Sequence, residues 1–118
     1  MKNQKFRRLD VWDRSMKFIA AIYRITLKFP SYELYGLMAQ MRRAATSIAL
    51  NIAEGSGSRS DTEFNRFLNI ALRSSYEVSC AIEIADNLNY LNNEGAQELM
   101  KECDEISAMI SGLSKYLR

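Results

Sequence analysis

The sequence predicts an all-α protein, folded as an antiparallel up-down-up-down four-helix bundle. Three observations predict this class: apolar residues recur at helical spacing over four segments, no segment alternates as a strand does, and the connections are short. The 118 residues match one domain, and 5 Gly and 1 Pro interrupt few helices. Short connections force neighbouring helices to run antiparallel. We therefore predict one domain over residues 1–118, with helices over about 10–29, 33–54, 61–89 and 93–117.

Helix one is predicted to have Asp10 as its N-cap and to stop at Pro30. About half of its circumference is apolar, which exceeds the single arc that an ordinary bundle helix buries. The excess predicts a further contact partner. One apolar stripe comprises Trp12, Met16, Ile19, Tyr23 and Leu27, and the stripe beside it comprises Val11, Phe18, Ile22, Ile25 and Phe29.

The other three helices each show one core stripe. Gly55 is predicted to end helix two as a C′ residue in the left-handed conformation, and Ser60 with Glu63 has the spacing of a capping box for helix three. The core stripe of helix two is Leu34, Leu37, Met38, Met41, Ala45, Ile48 and Ile52. Those of helices three and four are Phe64, Phe67, Leu68, Ala71, Ser75, Val78, Ile82 and Ala85, and Leu99, Cys103, Ile106, Ile110, Leu113 and Leu117.

Composition argues against most catalytic and metal-binding chemistry. With 0 His, neither a Ser-His-Asp site nor the Glu-x-x-His pairs of di-iron bundles can form, and 2 Cys are too few for a thiolate zinc site. Both cysteines fall in helical patterns, where we expect small apolar residues rather than a disulfide. The stretch EGSGSRS lacks the Gly-Lys-Ser/Thr ending of a phosphate loop and follows a helix. We expect a non-enzymatic protein without a cofactor or metal.

The charged residues are distributed unevenly, although the formal net charge is only +2. No long apolar run follows the basic N-terminus, so we expect a cytoplasmic protein without a membrane span. One interpretation is that the basic segment binds RNA; the alternative, which charge alone favours, is that oppositely charged helix faces help to pack the bundle. The basic residues are Lys2, Lys5, Arg7, Arg8, Arg14, Lys17, Arg24 and Lys28, and the acidic residues near the C-terminal end are Glu94, Glu98, Glu102, Asp104 and Glu105.

Helices two and three also carry apolar residues on faces away from their core stripes, mixed with charges of both signs. A subunit interface would use such residues, whereas scattered surface apolar residues are the alternative. With the apolar excess of helix one, these faces predict a homo-oligomer. The predicted interface residues are Arg43, Leu50, Arg66, Ile70, Arg73, Glu77 and Ile84, together with Phe18, Ile22 and Ile25.

The stretch RRAATSIALNIAEGSGSRSDTEFNRFLNIALRSSYEV resembles the signature of bacterial four-helix-bundle proteins named for the intervening sequences of 23S rRNA genes. The segments LDVWDRSMKF, YGLMAQMRRA and AIEIADNLNYL extend the likeness to nearly the whole chain. It departs at Ala49, where many members have Pro, and at Arg73, where many have Gly. The resemblance implies a ring-shaped homopentamer. A related group, the accessory variability determinant of diversity-generating retroelements, binds nucleic acid and a reverse transcriptase. The resemblance therefore implies that this chain binds such partners.

By position in this family, the motif residues are Arg42, Arg43, Asn51, Glu54, Gly55 and Gly57. We expect structural roles for them: Asn51 and Glu54 satisfy polar groups near the turn between helices two and three, and Arg43 works at a subunit contact or on the outer surface. Direct phosphate contact by Arg42 or Arg43 is the less favoured interpretation.

Together these observations predict a cytoplasmic, non-enzymatic homo-oligomer that binds RNA or DNA through its N-terminal segment and helix one. The alternative is a protein–protein interaction scaffold in which the acidic face of helix four recruits a basic protein and no nucleic acid binds.

Overall fold

Four α-helices joined by short connections make up the computed structural model, which describes residues 5–117. Within this range there is no strand, and the prediction of an all-α four-helix bundle is confirmed. None of the described helices combines the length and apolar character needed to cross a membrane. The helices are α1 (Asp10–Thr26), α2 (Leu37–Ser56), α3 (Asp61–Asn87) and α4 (Asn93–Leu117), with short 3₁₀ helices at Lys5–Arg8 and Ser31–Glu33.

Ion-pair and hydrogen-bond contacts between helices show that α2, α3 and α4 are antiparallel in succession. Arg43 approaches Glu77 at 3.8 Å, and Ser47 Oγ lies 2.8 Å from Ser74 Oγ, so residue numbers rise along α2 as they fall along α3. The same reversal relates α3 to α4, whose hydrogen-bonded pairs are Ser75–Ser107 and Asn65–Ser114. The helices enclose one apolar core, which includes Phe18, Ile22, Met41, Ile48, Ile52, Leu68, Val78, Ile82, Ile106 and Ile110.

The two apolar stripes of α1 have different environments. Phe18 and Ile22 are fully buried in the core, whereas Tyr23 is 41% exposed and Leu27 is 75% exposed. The prediction that Phe18 and Ile22 reach a subunit interface is therefore wrong, because a side chain enclosed by its own bundle cannot contact a second copy. Both stripes have the same spacing, and only tertiary packing decides which of them faces inward.

The ends of α1 and α2 differ from their predicted positions. Leu9, not Asp10, is the N-cap of α1, and no side chain caps it. Asp10 instead lies in the first turn, where its charge complements the positive end of the helix dipole. After α1 ends at Thr26, the chain turns through Pro30, and α2 begins at Leu37. The Leu37 backbone N–H donates to the carboxylate of Glu33, four residues earlier, at 2.9 Å, and this bond stabilises the start of α2.

The left-handed helix end lies at Asn89 rather than at Gly55. Gly55 is inside α2, and no described glycine has a positive φ. Asn89 has φ 63°, and the backbone N–H groups of Asn89 and Tyr90 donate to the carbonyls of Asp86 and Ala85 at 3.0 and 2.9 Å. These two bonds are those of a Schellman motif, in which Asn is the usual substitute for Gly. They end α3 at Asn87, two residues before its predicted end.

The cysteines have contrasting environments, and they form no disulfide. Cys103 is buried, its thiol donates to the Ser75 carbonyl at 3.2 Å, and burial raises its pKa to about 12. Cys80 is exposed on α3. Only Cys103 therefore behaves as the small apolar core residue that the sequence predicts for both.

Candidate nucleic-acid interface

Arg14, one of the predicted nucleic-acid contacts, joins α1 to α4. Its Nε donates to Glu102 at 2.9 Å and its Nη2 to Glu105 at 2.5 Å. The hydrogen bonds to Glu105 and then Glu102 raise the pKa of Arg14 above its ordinary value. The two carboxylates that pair with Arg14 cancel its positive charge, so Arg14 attracts a phosphate only weakly. At this position the structure supports the packing interpretation of the charge asymmetry.

The other basic residues of α1 share their surface with carboxylates. Lys17 pairs with Asp13 at 3.1 Å along the exposed face. Lys17 and Arg24 also line a groove of about 510 Å³ between α1 and α4, and the α4 side of this groove contributes Lys101, Glu98, Glu102 and Glu105. Lys28 is exposed in the turn after α1. Because the α4 wall of the groove carries carboxylates, this side of the bundle is of mixed charge and is a poor surface for a polyanion.

Basic side chains converge instead at the end of the bundle where α1 begins. Lys5 and Arg59 line one cleft of about 500 Å³, with Ser56, Ser58, Ser60 and one carboxylate, Asp61. Among the described residues, no carboxylate lies within ion-pair distance of Lys5 or Arg59. The 3₁₀ helix that carries Lys5 packs against α2. We name the basic end by its residues: Lys5, Arg7, Arg8 and Arg59.

Arg7 and Arg8 have different surroundings within the basic end. The Arg7 guanidinium lies over the rings of Phe6 and Trp12, at 4.9 and 5.8 Å from their centroids, and the two rings meet edge to face at 4.9 Å. These contacts hold the 3₁₀ helix Lys5–Arg8 against the first turn of α1. Arg8 is exposed, and no ion pair joins it to a carboxylate in the described chain. Lys2, another predicted contact, lies outside the described residues.

The serine-rich connection between α2 and α3 hydrogen-bonds to itself. Ser58 Oγ donates to the Gly55 carbonyl at 2.6 Å, and Ser60 Oγ accepts the Glu63 N–H at 3.1 Å as the N-cap of α3. The Glu63 carboxylate pairs with Arg66 rather than closing a capping box, and this hydrogen bond lowers the pKa of Glu63. The serines thus shape the connection through local hydrogen bonds, and Arg59 forms no ion pair in the described chain.

Arg42 and Arg43 are adjacent in sequence, but their side chains make different contacts. Arg42 Nε donates to Thr26 Oγ1 at 2.8 Å, its Nη2 donates to the Tyr23 carbonyl at 3.2 Å, and its guanidinium lies 4.4 Å from the Tyr23 ring centroid. It therefore secures the last turn of α1, where backbone carbonyls lack helical partners. Arg43 is exposed and lies near Gln40 and Glu77.

Asn51 and Gly55 determine how closely α2 and α3 approach. Asn51 Nδ2 donates to the carbonyl and the hydroxyl of Ser47, and that hydroxyl meets Ser74 on α3. A Cβ at Gly55 would lie 2.7 Å from Phe67 Cβ. Asn51 thus acts along the seam between the helices rather than at the turn. Glu54 is exposed on the outer side of α2, and Gly57 is the C-cap with φ −87°.

Comparison with known proteins identifies the family. The sequence profile of the 23S rRNA-intervening sequence protein matches residues 7–112. The chain belongs to this family. A crystal structure from Bacteroides thetaiotaomicron VPI-5482, described as a protein with unknown function from the S23 ribosomal protein family, has 26% sequence identity and a TM-score of 0.80. The alignment covers 89% of this chain and 98% of that chain. No match was found among curated proteins.

In this member of the 23S rRNA-intervening sequence protein family, most of the predicted interface residues share the outer face of α2 and α3. Leu50 is 68% exposed, and Ile70 and Ile84 are 36% and 43% exposed. Arg43 and Glu77 lie between them on this face, and Arg66 and Arg73 are exposed on the same helix as Ile70. Ile25 is half-buried in the groove between α1 and α4, away from this face.

Arg59 is the functional candidate that the sequence hypothesis missed. The hypothesis grouped basic residues by their position along the first 30 residues, whereas Arg59 reaches the same cleft through the short connection between α2 and α3. The signal was available, since an antiparallel bundle places that connection beside the beginning of helix one.

Proposed function

We propose that this family member is a nucleic-acid-binding protein, acting by binding rather than catalysis, whose phosphate contacts come from the basic end. The observation that carries the proposal is the convergence of Lys5 and Arg59 on one cleft, whose single lining carboxylate, Asp61, forms an ion pair with neither of them in the described chain. Unpaired cations attract phosphates and release their counterions, which is the main source of sequence-independent affinity. Arg8 and Arg7 extend the positive surface along the adjoining 3₁₀ helix.

The proposed phosphate contacts do not include the basic residues of α1 that the sequence hypothesis predicted. Arg14 would have to leave Glu102 and Glu105 before it could bind a phosphate, and those carboxylates would then repel the ligand. Lys17 and Arg24 lie near carboxylates of α1 and α4, and Lys28 lies apart from them in the turn after α1. We therefore assign them no part in the binding surface.

Assembly would strengthen the binding of a small basic surface. We propose that the outer face of α2 and α3, with Leu50, Ile70 and Ile84, joins copies of the chain into the homo-oligomer that the sequence predicts. Each copy would add one basic end. Several weak contacts on one polyanion raise the overall affinity well beyond that of a single site, provided the strand can reach them together.

The test is a fluorescence anisotropy titration of labelled RNA across a salt series, with protein sized by light scattering. We expect an affinity that falls steeply with salt, and a Lys5→Glu, Arg8→Glu, Arg59→Glu variant that loses most of it. The control variant Arg24→Glu, Lys28→Glu makes exposed charge reversals at the other end of α1 and should bind like the wild type. Equal binding by both variants would place the site elsewhere.

The alternative is a protein scaffold that uses the acidic face of α4. Glu102 and Glu105 are engaged by Arg14, which leaves Glu94, Glu98 and Asp104 as carboxylates without an ion pair in the described chain. A pulldown with and without nuclease separates the two functions. Partners that persist after nuclease treatment, together with no RNA binding at low salt, would favour the scaffold.

A further inference from the structure

Tyr116 displays an aromatic ring beside the basic end. It lies in the last turn of α4, and its side chain is 84% exposed. Its hydroxyl makes no hydrogen bond to any described residue. The next residue, Leu117, lines the same cleft as Lys5 and Arg59.

The position of Tyr116 on α4 directs it towards the beginning of α1. Glu102, Glu105 and Met109 form the flank of α4 that contacts Arg14 of α1. Tyr116 follows Met109 by seven residues, which is about two helical turns, so it continues the same flank. At that end of the bundle, Leu117 lines the cleft together with Lys5, the first residue of the 3₁₀ helix Lys5–Arg8, and this 3₁₀ helix packs against α1 and α2.

The other aromatic rings at this end are already engaged: Phe64 packs against the core, and Arg66 lies over Phe67. Phe6 and Trp12 pack edge to face, and Arg7 lies over both rings. A nucleobase would have to displace that guanidinium before it could stack on either ring. Tyr116 needs no such displacement.

The exposed tyrosines at the opposite end of the bundle lie in an acidic environment. Tyr32 and Tyr35 flank Glu33 in sequence, and Glu33 is hydrogen-bonded to Tyr90. The adjoining connection between α3 and α4 is flanked by Asp86 and Glu94. Carboxylates repel phosphates, so an exposed ring there lacks the cations that bring a nucleic acid to it. Tyr116 combines exposure with neighbouring cations.

We propose that the basic end selects single-stranded over duplex nucleic acid, with a base stacked on Tyr116 and the flanking phosphates held by Lys5, Arg8 and Arg59. This inference rests on the proposed function. In a duplex the faces of the bases are already stacked, so Tyr116 has nothing to bind. In a single strand every base offers a face, and pairing of aromatic stacking with a basic groove is how such strands are held without sequence preference.

Three labelled oligonucleotides with equal numbers of phosphates per strand test the inference by anisotropy: a single strand, the same strand with abasic sites, and its duplex. We expect Tyr116→Ala to weaken single-strand binding by about tenfold and to leave the abasic strand and the duplex unaffected. Tyr116→Phe should keep the wild-type affinity, because the ring is retained. Tyr35→Ala removes a tyrosine of similar exposure at the far end and should have no effect.

The outcomes separate the inference from the proposed function. If the wild type binds the abasic strand as tightly as the single strand, or if Tyr116→Ala changes nothing, stacking on Tyr116 is overturned while phosphate binding stands. If none of the three probes binds at low salt, the proposed function fails and the inference fails with it. Because Tyr116 and Tyr35 are exposed, circular dichroism should show an unchanged fold in all three variants.

Discussion

Gly55 is the residue at which the family motif has its clearest physical meaning. A Cβ there would lie 2.7 Å from Phe67 Cβ and 3.3 Å from the Phe64 carbonyl oxygen. Both of those atoms are on or next to the backbone of α3, so neither can turn aside as the tip of a long side chain would. The absence of a side chain, rather than a left-handed conformation, is why Gly is required at this position.

We predict that Gly55→Ala lowers the free energy of unfolding by roughly 1–3 kcal/mol, as overpacking does elsewhere. This loss would occur although alanine favours helix by up to about 1 kcal/mol over glycine. The matched control is Gly112→Ala, which is also inside a helix but has no atom within 4 Å of the new Cβ. Urea denaturation should show a lower midpoint for the first variant and a higher one for the second. A stabilised Gly55→Ala protein would contradict the close approach.

At the scale of helices, Glu33 connects the beginning of α2 to the connection between α3 and α4. Its carboxylate accepts the Leu37 N–H at 2.9 Å and the Tyr90 hydroxyl at 2.8 Å. The Leu37 bond and then the Tyr90 bond lower its pKa from the ordinary 4.5. A carboxylate whose pKa is depressed by folding stabilises the native state above its unfolded pKa, and this contribution is lost as pH falls through the folded pKa.

We therefore predict that the wild type is more stable than Glu33→Gln at neutral pH, and that the difference shrinks as pH falls below 4.5. The measurement is urea denaturation of both proteins on either side of that pH. Glu83→Gln is the control, since Glu83 is exposed and has no hydrogen bond in the described chain. A difference that is constant with pH would mean that the two hydrogen bonds do not depend on the charge of Glu33.

The helices were predictable from sequence to different degrees, for physical reasons. The predicted bounds of helix four, 93–117, coincide with Asn93–Leu117, because a regular apolar seam and polar flanks leave one solution. In α1 two stripes compete, and the sequence hypothesis placed Phe18 and Ile22 at an interface although both are buried. At the start of α2, Glu33 accepts the Leu37 N–H four residues away, but it is also held by Tyr90, which is 57 residues away and beyond the reach of local patterns.

The candidate site was predictable in part. The expectation of a basic N-terminal surface led to Lys5, Arg7 and Arg8, which the structure places at one end of the bundle. Arg14 looked equivalent in sequence, but its role is set by Glu102 and Glu105, which lie about 90 residues away. Arg59 and Tyr116 come to this end only through the antiparallel arrangement of the helices. Charge along the chain therefore predicted the basic N-terminal region, and tertiary packing decides which residues lie together at this end of the bundle.

At the scale of the whole molecule, the proposed assembly makes a prediction about mass. Leu50 and Ile70 are exposed on the outer face of α2 and α3, where a glutamate should leave the fold intact but prevent a second copy from docking. We expect light scattering to show an oligomer for the wild type at micromolar concentration and a monomer for Leu50→Glu, Ile70→Glu. Leu27→Glu, exposed on the turn after α1, is the control and should stay oligomeric.

The same variant links assembly to binding. Its basic end is unchanged, so any loss of RNA affinity must come from the loss of neighbouring copies. If several basic ends hold one strand, the monomeric variant should bind more weakly and with a shallower dependence on salt, since fewer counterions are released per complex. A monomeric variant with wild-type affinity and salt dependence would show that one basic end suffices. A wild type that is already monomeric would remove the assembly proposal and leave the basic end as the whole site.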